Sequence, residues 1–520
     1  MPSMTLEVFR RSLMTERPWG AAVTETQLAF GTQHGKSLVI PIRDIPNIKL
    51  ALAAVREADA TVWCPRAPRA AVALHRLTEQ PLARLTWLKC ATVAQAIVQP
   101  GTDSWVSMRR DRPKLNAAGA ARQAVATARL MAELQAGAPH PTRAAVMNSA
   151  RLEQLWRPIQ ARGWRVDTGM LERELSAHSR LRAQAQHDLG VDVLDETEAG
   201  TARTHSWLAD AGITITDKDG KPSLSRSDAD RAVVPDTNDA HLAWTQFREA
   251  RHIGSRLTTL KQMDYFRRGS DRVYPDLVLH HARTGRGTVL RPSLHSTTAA
   301  LRPLLIAEPG YVLVSLDLSQ VEPRVAAALS QDVEMRRALL AGDIYTELAL
   351  RVRGDATARS TFKTGFLSVL YGSGEAGLAE KLGCDTSEAR TIITDIWDAY
   401  PQLKAYADRL KMDMRAGKPE LTIGGRPVPP PPPAKGEYTI LNSRIQATAA
   451  DIFYAGVVRV ASLLGAESLW MPFHDELIVM VKDDDAEQAA RALREGMSEE
   501  RAGIPITGEP HILGRAWRKT

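Results

Sequence analysis

The stretch WMPFHDELIVMV, residues 470–481, sets three polar side chains between two short apolar runs. Each run has the length and composition of a buried strand, and His474, Asp475 and Glu476 lie between them. Burying an unpaired carboxylate costs several kcal/mol, so these acids need an edge position or a partner. The pattern predicts two paired strands with His474 and Asp475 at the tight turn.

A second acid follows another apolar run. The segment YVLVSLDLSQVEPRVAAALS predicts a strand from Tyr311 to Leu316 that ends at Asp317 and turns into a helix. Pro323 fits only in the first helical turn, where a missing N–H has no partner to lose. Asp317 and Asp475 can therefore reach one edge of one sheet, although each aspartate could instead merely cap a turn.

Two carboxylates at one sheet edge predict a metal site. They repel each other unless cations neutralise them, and hard oxygen ligands suit Mg²⁺. Two metal ions roughly 3.5–4 Å apart activate an attacking oxygen and stabilise a leaving one in phosphoryl transfer.

A basic helix is the third feature. In ARSTFKTGFLSVLYGSG, residues 358–374, Arg359, Lys363, Leu367 and Tyr371 recur every four positions and share a helical face. Two cations near a helix N-terminus suit a triphosphate, because guanidinium, ammonium and helix dipole all favour anions. An ordinary solvated basic face gives the same spacing.

Composition narrows the class of protein. The 520 residues predict about three domains at roughly 150 residues each, and the net charge of +7 favours a polyanionic partner such as nucleic acid. The three cysteines lack CxxC spacing, which argues against a disulfide framework or a zinc site. We find neither a secretion signal nor a run of ~18 apolar residues, and we expect a cytoplasmic protein without a membrane segment.

The chain divides into regions of different periodicity. Residues 19–42 predict a hairpin, with β-like runs AAVTETQLAF and SLVIPI around QHGK, within an α/β region. A helical arm follows over 145–262, and helices dominate 334–416. The five prolines of 429–433 predict a polyproline II connector, or a ligand for a proline-reading domain.

The segments DLSQVEPRVAAALS, RSTFKTGFLSVLYG and FHDE, in this order, resemble motifs A, B and C of the family A DNA polymerases, the bacterial polymerase I group and its phage relatives. The resemblance covers roughly residues 147–520. It implies an α/β multidomain fold with right-hand architecture: thumb 143–262, palm 263–333 and 440–520, and fingers 334–439. Residues 1–142 resemble, more weakly, the RNase H-like 3′–5′ exonuclease domain of this family.

The resemblance also assigns roles by position. Asp317 and Asp475 would hold two Mg²⁺ ions, with Mn²⁺ as a substitute, Glu476 would support them, and Lys363 would join them in catalysis. Glu322 matches the steric gate against a ribose 2′-hydroxyl, and Arg324 a structural pair in the palm. The implied nucleotide-binding residues are Gln320, Glu322, Arg359, Lys363, Leu367, Tyr371 and His474. The implied DNA contacts are Arg286, Asn442 and Gln446, with the basic thumb residues Arg256, Lys261, Arg267, Arg268 and Arg272 expected to grip phosphates.

Several positions depart from the family pattern. Leu367 stands where members carry Phe or Tyr, and Phe366 lies ~100° around the helix. The segment GTVLRPSLHS replaces an Asn-rich block, and Tyr438 stands where an arginine is expected. Glu25 is the one acid of the expected exonuclease set, and a lone carboxylate cannot hold two metal ions, so we predict a degenerate domain without proofreading.

The sequence thus predicts a DNA-templated DNA polymerase that extends a primer 3′-OH with dNTPs by two-metal nucleotidyl transfer. Its expected partners are primer-template DNA and dNTPs, with no membrane. We expect a monomer in a bacterial or phage-infected cell; a processivity partner stays unassigned. The alternatives are a single-subunit RNA polymerase, which Glu322 disfavours, and a non-catalytic DNA-binding scaffold, which the carboxylate pair disfavours.

Overall fold

The structure, a computed structural model, divides into two compact units. The larger contains Met1–Gly163, Asp276–Leu290 and Pro309–Gly514, and the smaller contains Trp164–Pro275, Arg291–Glu308 and Arg515–Thr520. The structure describes residues 4–13, 15–23, 27–64, 70–71, 73–74, 78, 88–90, 120, 124–129, 131–132, 136, 140–217, 219–229, 232–428, 430–431 and 436–518.

Strands and helices follow one another in groups along the chain. The strands are β1 (Trp19–Val23), β2 (Gln27–Thr32), β3 (Ser37–Pro41), β4 (Val62–Cys64), β5 (Leu88–Cys90), β6 (Trp164–Val166), β7 (Arg272–Val273), β8 (Asp276–Val278), β9 (Thr288–Leu290), β10 (Leu305–Ile306), β11 (Tyr311–Asp317), β12 (Leu469–Phe473), β13 (Glu476–Lys482), β14 (Glu499–Arg501), β15 (Ile504–Ile506) and β16 (Pro510–Gly514). The α-helices are α1 (Leu6–Ser12), α2 (Ile45–Glu57), α3 (His140–Arg162), α4 (Thr168–Leu189), α5 (Glu198–Asp210), α6 (Arg226–Ala229), α7 (Asn238–Arg267), α8 (Val321–Ser330), α9 (Val333–Ala341), α10 (Ile344–Arg353), α11 (Arg359–Leu370), α12 (Glu375–Leu382), α13 (Thr386–Ala399), α14 (Pro401–Arg415), α15 (Ile440–Leu464) and α16 (Ala486–Met497).

The N-terminal sheet has the strand order β3-β2-β1-β4-β5. β1, β2 and β3 pair antiparallel, whereas β4 pairs parallel with β1 and with β5. The predicted hairpin around 33–36 is present, but residues 21–23 belong to β1 and residues 27–30 to β2, so the prediction of one strand over 21–30 was wrong. Gly20 and Gly31 let residues 124–129 lie against this sheet, because a Cβ at either glycine would come within 3 Å of their backbone.

Strand β11 lies inside a four-stranded antiparallel sheet of order β12-β13-β11-β16. Helix α16 packs on this sheet, and α15 packs on α16. The two helices approach closely at Gly456 and Gly496, where a Cβ would meet Met497 and Val460 at less than 3 Å. This packing fixes the sheet that carries both predicted aspartates.

Helices α9–α14 form a layer after the β11–α8 segment. Helix α11 packs against α10 and α13, with Gly365 facing Ile392 and Ile396. The buried carboxylate of Asp332 caps α9 through Met335 N and also accepts from the backbone N–H of Leu403 in α14. One acid therefore ties two helix N-termini together.

The smaller unit is mainly helical. Its core joins α4, α5 and α7 with buried residues that include Leu208, Ile213 and Phe247. A short sheet of order β10-β6-β7 completes it. The helical arm predicted over 145–262 is present, although its last helix, α7, continues to Arg267.

One helical stretch in the described part of the chain, Glu437–Leu464, is long and apolar enough to cross a membrane, but 56% of its apolar window is buried inside the protein. It has the character of a core helix. Within the proline run, Pro430 and Pro431 lie outside regular secondary structure, and residues 429 and 432–435 are outside the described residues.

Candidate active site

The pairing of β11 with β13 brings the two predicted acidic motifs together. Asp317 lies directly opposite Glu476 in the antiparallel register, and the N–H of Leu318 donates to the carbonyl of Asp475 at 3.1 Å. His474 adopts a left-handed backbone (φ 56°) at the turn between β12 and β13. The predicted hairpin and the convergence on one sheet edge are both confirmed.

Arg286 bridges two acids at this edge. Its Nη2 donates to Oε1 of Glu322 at 3.0 Å and to both carboxylate oxygens of Asp475, at 3.0 and 3.1 Å. Burial opposes the charge of this guanidinium, but the two carboxylates outweigh that effect and hold the pKa of Arg286 above its usual value. The prediction of a DNA contact at Arg286 did not foresee this ion-pair bridge.

Glu322 is buried in the first turn of α8, and three side chains converge on it. Besides Arg286, Nε2 of Gln446 donates to its Oε1 at 3.2 Å. Burial, followed by the nearby charge of Glu322, raises the pKa of Tyr371 to about 12, which keeps the phenol neutral at physiological pH. The predicted gate residue therefore contacts Gln446 of α15 and Tyr371 at the end of α11.

Helix α11 presents the predicted basic face. Arg359 and Lys363 are exposed, Leu367 is half-buried, and Tyr371 follows the last helical residue, ahead of Gly372 at φ 72°. Phe366 points into the core, with its ring 5.8 Å from that of Tyr400. Phe366 therefore cannot replace the aromatic side chain that Leu367 lacks.

Asp343 and Tyr345 were missed by the sequence reasoning. Asp343 caps α10 and pairs with Arg359, whose Nε and Nη2 donate to it at 2.7 and 3.2 Å. The Tyr345 ring lies beneath Arg359 and Lys363, at 5.6 and 5.9 Å. An aspartate three residues before Thr346 was a readable helix-start signal, but nothing in its spacing indicated the pairing with Arg359.

In the described part of the chain, Gln320, Asn442 and Arg286 each carry a buried polar atom without a hydrogen-bond partner. These atoms are Oε1 of Gln320, Oδ1 of Asn442 and Nε of Arg286. Such atoms are rare in native interiors and need an explanation. All three belong to residues predicted to contact nucleotide or DNA.

Arg426, Asp451 and His280 form a second cluster that the sequence reasoning did not predict, and this cluster contacts the turn before Arg286. The buried Arg426 donates to the carbonyl of Thr284 at 3.1 Å and pairs with Asp451 at 3.0 Å. Nδ1 of His280 donates to the carbonyl of Gly285 at 2.9 Å. Gly285 (φ 89°) tolerates no side chain, because a Cβ would lie 2.2 Å from the Arg426 guanidinium.

Arg324 is structural, as expected, but its partners are not acidic. Its guanidinium donates to the carbonyls of Ser319 and Pro505, at 2.9 and 2.7 Å. Burial lowers the pKa of this guanidinium. Arg324 thus fixes the turn between β11 and α8 against β15.

The basic residues predicted to grip phosphates differ in their surroundings. Arg256, Lys261 and Arg268 are exposed, and no described carboxylate forms an ion pair with them. Arg267 pairs with Asp264 at 2.8 Å, and Arg272 binds Glu308 through two bonds of 2.6 and 2.7 Å. Their contact with DNA stays a prediction.

Among the described residues, no group of three or more His, Cys, Asp or Glu side chains is placed to hold a metal ion. The acids at the sheet edge offer oxygen ligands only, and Mg²⁺ commonly takes one or two carboxylates and completes its shell with phosphates and water. Asp317 and Asp475 fit that pattern. Glu25, predicted as a lone exonuclease acid, lies outside the described residues.

The sequence of this chain is similar to those of known proteins over more than half of its length. The sequence model of DNA polymerase family A matches residues 220–519, more than half of the chain. The DNA polymerase of Mycobacterium phage D29 is 26% identical over 76% of this chain and 66% of its own length. DNA polymerase I of Chloroflexus aurantiacus is 33% identical over 42% of this chain and 26% of its own length. The chain thus spans less than two thirds of these curated relatives.

A solved structure covers nearly the whole chain. It is described as the POL domain of Pol1 from M. smegmatis in complex with DNA primer-template and dNTP. The TM-score is 0.78, with 99% of both chains covered and 19% sequence identity. A likeness at this identity shows a shared fold, and it confirms the fold class predicted from the sequence. The domain limits and the exonuclease-type assignment of residues 1–142 stay predictions.

Proposed function

Because this chain belongs to DNA polymerase family A, we propose that it extends a DNA primer 3′-OH with dNTPs on a DNA template. The observation that carries the proposal is the register of β11 and β13, which sets Asp317 opposite Glu476 beside the Asp475 turn. The same edge connects to the basic helix, since Gln320 donates to Asp343 at 3.0 Å and Arg359 donates to Asp343 at 2.7 Å.

Asp317 and Asp475 are the residues that would hold two divalent cations. We favour Mg²⁺, because the available ligands are hard oxygens, and Mn²⁺ fits the same ligands. When bound, the ions would lower the pKa of the primer 3′-OH and stabilise the negative charge on the pyrophosphate leaving group. Arg286 balances the charge of Asp475 and would compete with a metal ion for the same carboxylate.

The remaining residues bind and orient the substrates. Arg359 and Lys363 would bind the triphosphate, because both cations are exposed on α11. The buried Glu322 would exclude a 2′-hydroxyl, and Leu367, Tyr371 and His474 would surround the nucleotide and the primer end. Asn442, Gln446 and Arg286 would contact primer-template DNA.

A test of substrate class separates this proposal from an RNA polymerase. On one primed template, we expect addition of the single complementary dNTP, with the matching rNTP slower by about 100-fold or more. Glu322→Ala should narrow that difference, because it opens the space that a ribose needs. Equal use of dNTP and rNTP by the wild-type protein would favour the RNA polymerase, and no addition at all would favour the DNA-binding scaffold.

We further propose a monomer without proofreading, working in the cytoplasm of a bacterial or phage-infected cell. The sequence supports the loss of exonuclease chemistry, since Glu25 is the lone acid of the expected set and one carboxylate cannot hold two metal ions. Incubation with 3′-labelled DNA should release no labelled nucleotide. Release by an Asp317→Ala variant would assign exonuclease activity to residues 1–142.

A further inference from the structure

We propose that Asp343 is a positioning residue for the incoming nucleotide, and that it acts by orienting Arg359 and Gln320. The inference rests on the proposed polymerase function and adds a residue to its triphosphate site. Asp343 lies just before α10, whereas Gln320 precedes α8 and Arg359 begins α11. One carboxylate therefore joins the starts of three helices.

Asp343 accepts one set of hydrogen bonds that caps α10 and a second set from the predicted nucleotide-binding residues Arg359 and Gln320. Its Oδ2 accepts from the backbone N–H and the hydroxyl of Thr346, at 3.0 and 2.6 Å, which caps α10. Nε and Nη2 of Arg359 bind the same carboxylate, and Nε2 of Gln320 donates to its Oδ1 at 3.0 Å. Burial alone would raise the pKa of Asp343, but the bonds from Arg359 and Thr346 outweigh it and hold that pKa below its usual value.

This pairing orients the Arg359 guanidinium. Asp343 takes one edge of the planar group, through Nε and Nη2, while Nη1 makes no hydrogen bond with a described residue. The Tyr345 ring restricts the guanidinium on another side, at 5.6 Å, and holds Lys363 on the same ring at 5.9 Å. A guanidinium oriented in this way offers its free edge to phosphate oxygens and loses less conformational freedom on binding.

The charges in this cluster also favour a phosphate ligand. Arg359 and Lys363 lie within about 6 Å of one ring centroid and repel each other. Asp343 neutralises one of these two positive charges, so Arg359, Lys363 and Asp343 together keep a net positive charge. A polyphosphate is the ligand that would satisfy the remaining charge.

Asp343→Asn separates the positioning role from the capping role. Asparagine caps helices as well as aspartate does, so α10 keeps its N-terminus, but the neutral amide loses the ion pair with Arg359. Asp385→Asn is the matched control, because Asp385 caps α13 through Glu388 N and forms no described ion pair with an arginine.

The experiment measures KM for the complementary dNTP and kcat in primer extension for five proteins: wild type, Asp343→Asn, Arg359→Ala, the double variant and Asp385→Asn. We expect Asp343→Asn to raise KM about 5- to 10-fold with kcat nearly unchanged, because it weakens ground-state binding. In the Arg359→Ala background the same change should raise KM by a clearly smaller factor, because only the contact with Gln320 remains to be lost. Asp385→Asn should match the wild type, and all melting temperatures should agree within a few degrees.

Two results would overturn the inference. An Asp343→Asn variant with wild-type KM would show that the pair is dispensable, and an equal increase in KM in the Arg359→Ala background would show that Asp343 acts without Arg359. Failure of the wild-type protein to extend any primer would instead refute the proposed function, which keeps the two failures distinct.

Discussion

At the end of β11, the backbone of Gly508 lies directly against Asp317. A Cβ at position 508 would come within 1.9 Å of the carbonyl oxygen of Asp317 and 2.9 Å of the Leu316 side chain. Real Cβ atoms do not approach a carbonyl so closely, so a larger residue must displace the strand. The position of a candidate metal ligand therefore depends on a glycine that lies two residues before β16.

We predict that Gly508→Ala reduces primer extension by at least about 10-fold, because a displacement near 1 Å at a reacting group is costly. It should also lower the melting temperature, since the strain falls in a buried strand. Gly377→Ala is the control: it lies in α12, where a Cβ would make only an ordinary contact of 4.0 Å with Ser373, and it should stabilise the protein by about 0.5–1 kcal/mol. Wild-type activity and stability in Gly508→Ala would show that the strand end is not fixed as described.

At the scale of elements, the turn at 280–286 depends on a neutral histidine. Nδ1 of His280 donates to Gly285, so Nε2 accepts from the Ser149 hydroxyl at 2.9 Å. Burial, with the charge of Arg426 second, lowers the pKa of His280 to about 3. The protonated form is therefore excluded from the folded turn at neutral pH.

This depressed pKa predicts a pH dependence of stability. Between pH 6.5 and about 3 the unfolded chain binds a proton that the folded chain does not, so stability is lost as pH falls. At pH 4 this difference in proton binding lowers the free energy of unfolding by on the order of 3 kcal/mol relative to neutral pH. His280→Gln cannot titrate and should lose less stability between pH 7 and pH 4, as measured by chemical denaturation. Parallel curves for the two proteins would contradict the prediction.

Helix α7 predicts a salt-dependent affinity for DNA. Arg256 and Lys261 lie exposed on α7 and Arg268 directly follows it, whereas Arg272 is bound to Glu308. Each phosphate contact should contribute about 0.9 to the slope of log affinity against log salt concentration. We expect Lys261→Ala to lower that slope by about this amount and Arg272→Ala to leave it unchanged. A lower slope for Arg272→Ala and an unchanged slope for Lys261→Ala would assign the DNA contact to Arg272.

At the scale of the whole molecule, local patterns predicted the elements around the site well. The alternation in 470–481, the strand that ends at Asp317 and the four-residue spacing on α11 all have their cause within one segment, and all three are present. The resemblance to family A gave the fold class. These predictions needed no knowledge of which distant segments meet.

The sequence could not reveal which residues on different elements form ion pairs with each other. Arg286 meets Asp475 across 189 positions, and Asp343 meets Arg359 on a different helix. No local spacing encodes either pair. The run 21–30 was misread for a related reason, since a pattern of alternating residues continues through two strands and does not mark where the chain reverses.

The central claim is that Asp317 and Asp475 together hold the metal ions that act on the reacting phosphate. The most direct test is the single-turnover rate of dNTP incorporation with Mg²⁺ for the wild type, Asp317→Asn and Asp475→Asn, with DNA affinity measured in parallel. We predict that each variant loses about 1,000-fold or more in rate while DNA affinity changes little. Each change replaces a negatively charged metal ligand with a neutral amide, which weakens metal binding at the site. Incorporation at the wild-type rate by either variant would contradict the claim.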